Sequence, residues 1–176
     1  MGGGCTTGAL SHGKMIDMFN GLDGDGAFAP TRSGAVPVGD LIRLCYSGKY
    51  ATVDEMMKRA VGDAGIAAYL GTADMREVNK MIENGDENAK LVKEAFIYQH
   101  AKDIGSLSVV MKGKVDAILL TGGIAYGKDI TDAIASYTEW IAPVVVIPGE
   151  REMIALAQGA LRVLNGEEEA KEYEAW

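Results

Sequence analysis

The sequence predicts an α/β domain with a mixed sheet flanked by helices, on three observations. Residues 115–121 (VDAILLT) and 144–147 (VVVI) are apolar runs of the kind buried on both faces of a parallel sheet. The helix-like residues 128–137 lie between them, so the three segments read as a βαβ unit. Residues 87–111 carry the apolar spacing of a long core helix, with Leu91, Val92, Ala95 and Phe96 continued by Ile104, Leu107 and Met111. The front of the chain, residues 5–20, alternates around a His12-Gly13 turn as a β-hairpin does.

Taken in order, the hairpin uses residues 5–10 and 14–20 and leads into a glycine-rich loop, GLDGDG at 21–26. Helices are expected at 37–47 and at 52–61, the second capped by Thr52 with Glu55 three residues on. A third is expected at 74–84, before Gly85, and the long helix follows. After the βαβ unit a last helix, about 150–165, sets Met153, Ala157, Ala160, Leu161 and Leu164 on one face. The domain is therefore residues 1–165, and residues 166–176 read as an acidic, solvated tail.

Composition narrows the function. The chain has 176 residues, 48% hydrophobic and 24% charged, enough for one well-buried core and unlike a disordered or collagenous sequence. Its net charge of -8 offers no basic field for nucleic acid or anionic lipid, so small ligands are the expected partners. Cys5 and Cys45 are too few for a disulfide framework and lack the spacing of a zinc site, which suits a reducing cytoplasm. No membrane span is expected. The chain opens on glycines instead of a basic and apolar leader, and the abrupt MGGGCTT start suggests that a strand-and-turn is already under way there.

Two glycine clusters could carry chemistry. TGGIAYG at 121–127 follows a strand and precedes a helix, where α/β sheets bind ligands beyond their carboxyl ends. It matches neither the dinucleotide fingerprint nor a P-loop, so a plain tight turn remains the alternative. Gly2, Gly3 and Gly4 could cradle an anion on their amides. Arg32, in a loop between glycines and a helix, supplies the planar cation that phosphoryl transfer requires, a surface charge being the alternative. Asp23 and Asp25 lack calcium-loop spacing and read as turn residues. His12 is expected to be exposed, His100 to be satisfied locally on its helix, and the nine methionines to be packing residues. No hydrolase triad is in sight.

Five blocks together resemble the acetokinase family of carboxylate kinases, in its butyrate-phosphorylating branch: MGGG at 1–4, LDGDGAFAPTRSGAVPVGDL at 22–41, YLGTADMREV at 69–78, KGKVDAILLTGGIAYGKD at 112–129 and PGEREMIALAQGALRVL at 148–164. The resemblance implies the ribonuclease H-like fold of the actin, Hsp70 and sugar kinase superfamily. The chain is similar to the C-terminal of two domains, with the N-terminal domain outside it.

Carried over by position, Gly2, Gly3 and Gly4 resemble the phosphate loop. Asp74, Met75 and Arg76 are similar to the segment beside ribose and adenine, and Gly122, Gly123, Ile124, Ala125, Tyr126 and Gly127 to the adenosine loop. Arg32 would stabilise the transferring phosphoryl group, and Glu150 would help hold magnesium. Acetate kinases carry Gly where this chain has Ala125, and Glu-Asn where it has Tyr126-Gly127.

The implied activity is reversible transfer of the γ-phosphoryl of ATP to butyrate or a related short-chain carboxylate, with Mg2+, in a homo-oligomer. A non-catalytic nucleotide-binding or oligomerisation module is the alternative.

Overall fold

The computed structural model describes residues 1–172. The chain enters a hairpin in which β1 (Gly8–Ser11) pairs antiparallel with β2 (Lys14–Met18). His12 and Gly13 close it with φ of 50° and 74°, the two left-handed residues that a tight hairpin turn needs, and His12 is exposed as expected. The loop that follows is tied to the long helix. Ala27 N–H donates to Asp103 Oδ2 at 2.7 Å and Phe28 N–H to Gln99 Oε1 at 3.3 Å. Burial pushes the Asp103 carboxyl above its usual range, partly offset by the Ala27 bond. Asp23 and Asp25 bond only within their own loop, to Asn20 and Gly26, as turn residues do.

Helices α1 (Val38–Cys45) and α2 (Val53–Val61) follow, and neither buries a residue. Thr52 caps α2, its Oγ1 accepting from Glu55 N–H at 3.2 Å while Glu55 Oε2 accepts from Ala51 N–H at 2.8 Å. The short α3 (Gly65–Leu70) was not expected from the sequence. It has no side-chain cap and starts on a glycine at φ 60°, so none of the usual start signals marks it. Helix α4 (Met75–Glu83) is capped by Asp74, and α5 (Glu87–Ser108) by Asp86, which accepts from Asn88 N–H at 2.9 Å and Ala89 N–H at 3.0 Å.

The core is organised around α5, whose Ala89, Val92, Phe96, Ile97 and His100 are buried against Phe28, Ile66, Val78, Ile118, Leu120, Ile130 and Ile134. Two expectations for α5 are corrected. Leu91 is 64% exposed, because the stripe through Ala89, Val92 and Phe96 leaves its neighbour on the outer side. His100 is buried, yet its Nε2 has no hydrogen-bond partner, so it is not satisfied locally.

Strand β3 (Ile118–Gly122) runs through a 3₁₀ turn, Gly123–Tyr126, into α6 (Lys128–Thr138) and returns as β4 (Val144–Pro148). The two strands pair in parallel from Ile118↔Val144 to Gly122↔Pro148, which is the expected βαβ unit. The expectation of strands buried on both faces does not hold. Ile118 and Leu120 are buried while Leu119 is 59% exposed, and Val145, Val146 and Ile147 are exposed too. Helices α5 and α6 cover one face only. Helix α7 (Glu152–Leu164) buries none of its residues, so the apolar face with Met153, Leu161 and Leu164 stays in solvent. Met15, Met18, Met57 and Met153 are likewise exposed and do not pack the core. No helix among the described residues is long and apolar enough to cross a membrane. The tail is exposed through Glu172; Tyr173 to Trp176 lie outside the described residues.

Candidate functional site

Four segments far apart in sequence meet at the carboxyl ends of β3 and β4. Residues 1–4 form the first. Met1 carries its amino group to Thr121 O at 2.6 Å and accepts from Ile124 N–H at 3.0 Å, and Gly2 N–H then donates to Gly4 O at 3.0 Å to close a turn. The second is Thr31-Arg32: Thr31 N–H and Oγ1 both donate to Gly3 O, at 3.1 and 3.0 Å, so the arginine loop is stapled to the glycine turn by two bonds on one carbonyl.

The third segment is 121–127. Gly122 has φ 91°, and a Cβ there would collide with the backbone of Met1, so this position requires glycine on two counts. The fourth is Gly149-Glu150. Gly122 and Gly149 exchange N–H···O bonds of 3.1 and 3.0 Å, and Thr121 Oγ1 donates to Gly149 O at 3.3 Å. These pairs extend the sheet by one residue past its last strand pair and hold Glu150 at the rim. The carboxylate Oε1 lies 3.9 Å from where a Cβ on Gly2 would stand.

Arg32 is the charged centre of this rim. Its Nη1 donates to Gly21 O at 3.1 Å, and its guanidinium covers Gly4 so closely that any Cβ on Gly4 would overlap it. A half-buried guanidinium with one donor held by a carbonyl keeps further N–H groups for a planar oxyanion ligand. Cys5, just behind, is buried; desolvation pushes its thiol pKa up despite the nearby amino terminus, so it is a packing residue and a poor nucleophile.

Asp74, Met75 and Arg76 stand apart. Asp74 caps α4 and takes the Arg76 guanidinium on both carboxylate oxygens, with Nε at 2.9 and 3.1 Å and Nη2 at 2.5 Å. The Arg76 hydrogen bonds bring the Asp74 carboxyl down to about 2, and Arg76 is raised in turn. Met75 packs against the core. Among the described residues, no hydrogen bond or ion pair joins Asp74 or Arg76 to the 122–127 loop.

One positioning group escaped the sequence reading. Lys93 on α5 donates to Asn79 Oδ1 on α4 at 2.7 Å and pairs with Asp129 on α6, which also accepts from Asn79 Nδ2 at 3.3 Å. Burial raises the Asp129 carboxyl, but the Lys93 bond and charge, with Asn79, bring it below its usual value. The tie fixes α4 and α6 to α5 two residues after the 122–127 loop. Its members lie on three elements, so no local motif announces it; a lysine in the flank of an apolar stripe was the available signal. No cluster of metal-ligating side chains exists among the described residues, which leaves Glu150 as the lone carboxylate of the rim.

The comparisons agree with this arrangement. Residues 1–139 match the acetokinase family. Butyrate kinase 2 of Clostridium acetobutylicum is 56% identical over 98% of this chain, and a probable butyrate kinase of Clostridium botulinum is 53% identical over 98%. In each case 48% of the relative is covered, so the chain spans about half the length of the curated relatives it matches. Among solved structures, acetate kinase of Porphyromonas gingivalis superposes with TM-score 0.82 at 22% identity, over 93% of this chain and 47% of that one. A propionate kinase of Francisella tularensis superposes with TM-score 0.74 at 27% identity, over 88% of this chain and 46% of that one. The fold is the expected one of the carboxylate kinases, and the chain belongs to the acetokinase family.

Proposed function

We propose that this chain forms the nucleotide-binding side of a kinase that transfers the γ-phosphoryl of ATP to butyrate or a closely related short-chain carboxylate, giving an acyl phosphate and ADP. One observation carries the reading: Gly2 to Gly4, Arg32, the 122–127 loop and Glu150 converge on a single rim beyond the ends of two parallel strands. That is where open α/β sheets receive ligands.

The chemistry asks little of the protein beyond placement and charge. A carboxylate has a pKa of about 4 to 5 and is already the nucleophile near neutral pH, so no general base is needed. The glycine amides would hold the phosphates, Arg32 would face the equatorial oxygens of the transferring group, and 122–127 would receive the nucleoside. Magnesium, when bound, would neutralise charge between the phosphates. A single carboxylate is a sufficient protein ligand for it, because this ion keeps several waters and binds largely through substrate phosphates, and Glu150 is the residue placed to serve. Asp74 to Arg76 would border the nucleoside from α4. The carboxylate pocket is assigned to the length that the relatives have beyond the matched half.

Cysteines without a disulfide support a cytoplasmic setting. The uncovered apolar face of α7 supports self-association, a homodimer being the simplest form.

Titration calorimetry with ATP and magnesium tests the reading. Saturable heat, lost on Gly3→Arg or Gly123→Arg, supports it. Absence of heat at millimolar nucleotide removes the rim as a nucleotide site.

A further inference from the structure

The fold contains two separate two-stranded sheets, and each has one strand edge without a partner. Strand β1 pairs on one side with β2, and β3 on one side with β4. The remaining edges face a common cavity of about 390 Å³, lined by residues 6–10 and 115–121 in unbroken succession. Alternate residues of a strand point to opposite faces, so a cavity lined by every consecutive residue of two strands is bounded by their edges. Its floor includes Leu107 and Ile134, and also His100, which is 4% exposed with an unpartnered Nε2.

The direction of an occupant follows from Met1. Its nitrogen donates to Thr121 O and its carbonyl accepts from Ile124 N–H, so one residue bonds to positions on both sides of its neighbour in β3. That reciprocal pattern belongs to parallel pairing. A polypeptide leading into Met1 in the same direction would run along β3 in parallel. The tight turn at Gly2 to Gly4 would then set it antiparallel to β1.

We infer that the cavity is a slot for one β-strand, supplied by the segment that the longer curated relatives carry immediately ahead of the stretch this chain matches. The strand joins the two sheets into one mixed sheet of five, in the order β2, β1, guest, β3, β4. Both guest edges are then hydrogen-bonded, and the guest side chain over the floor gives His100 Nε2 its partner. The inference does not rest on the nucleotide reading, because the slot lies between the sheets and not on the glycine rim.

The test uses the 176-residue chain and a synthetic peptide of about ten residues, a strand and its approach, taken from the segment that precedes the matched stretch in the Clostridium acetobutylicum relative. Amide hydrogen exchange is followed at residues 6–10 and 118–121. Expected is slowing of about tenfold or more at both edges together, since strand addition protects each amide it pairs. The same peptide with alternate backbone nitrogens methylated should give none. A second arm fuses the segment ahead of Met1, which removes any limit set by weak binding. No added protection in the fusion overturns the inference. So does protection of one edge only, equal protection by a scrambled peptide, or protection that follows protein concentration alone with dimers in light scattering, which would put a second copy in the slot. None of these readouts requires ATP.

Discussion

The Arg32 guanidinium lies flat over Gly4 while its Nη1 donates to Gly21 O at 3.1 Å, so the backbone of the glycine turn and the one half-buried cation of the rim share a single contact surface. The turn sets where the charge stands. Gly4→Ala should therefore displace Arg32 and weaken nucleotide binding by about tenfold or more, the loss expected when a charge-assisted hydrogen bond is misplaced. Calorimetry on the variant, with circular dichroism to confirm its fold, checks this; parental affinity would mean that Arg32 does not meet the nucleotide.

Replacing the cation itself asks for turnover, which needs a chimera joining this chain to the preceding half of a butyrate kinase relative. Arg32→Lys in that protein should lower kcat by about 10³-fold, within the range that arginine contributes to phosphoryl transfer. KM for ATP should change far less. Near-parental kcat would make Arg32 an ordinary surface charge.

The same chimera tests Glu150. Glu150→Gln keeps the shape and removes the charge, so the magnesium concentration for half-maximal activity should rise several-fold while saturating metal restores most of the rate. An unchanged magnesium titration would take Glu150 out of the site.

The tie between α4, α5 and α6 predicts an acid-sensitive stability. The Asp129 carboxyl titrates below its usual value in the folded protein, so its contribution is present above the unfolded pKa of about 4 and is lost as pH falls through the lower folded value. Asp129→Asn should lower stability at pH 7 by about 1 kcal/mol, modest because the carboxylate is partly exposed. Below pH 3 the difference from the parent should shrink. Urea melts at both pH values read it directly.

His100 acts on a higher pH window. Burial lowers its pKa from 6.5 to about 4, so the folded protein prefers the neutral ring. That stability is complete above pH 6.5 and is lost as pH falls toward 4, by up to about 3 kcal/mol. In His100→Leu this part of the acid slope should disappear. A variant whose stability still falls with the parental slope between those pH values would show that other groups take up the protons.

Much of this architecture was legible because its signals are local. Thr52 with Glu55, the VDAILLT and VVVI runs, and the His12-Gly13 turn each declare their element within a few residues. The rim was legible through the long blocks that resemble the family, which named Gly2 to Gly4, Arg32, 122–127 and Glu150 before any contact was known. What stayed hidden depends on which faces find partners. An apolar strand reads the same whether one layer of helices or two covers it, so the exposure of Leu119 and Val146 could not be anticipated. Helix α3 has no cap to announce it, and the Lys93–Asp129–Asn79 tie exists only after three helices have packed. The mutual pairing of Asp74 and Arg76 likewise depends on a cap geometry that spacing alone does not specify.

The glycines of the rim divide into two kinds. Gly4 and Gly122 are closed positions where any added carbon strikes Arg32 or Met1, whereas an alanine methyl at Gly3 or Gly123 meets nothing within 4 Å. Conventional alanine scanning trims side chains and has nothing to trim in such a surface. It must be mapped by addition: the open positions accept larger residues without cost to the fold, so a loss of binding there measures the ligand's own proximity. The closed positions report on architecture instead, and contrasting the two separates a ligand footprint from a folding defect within one set of variants.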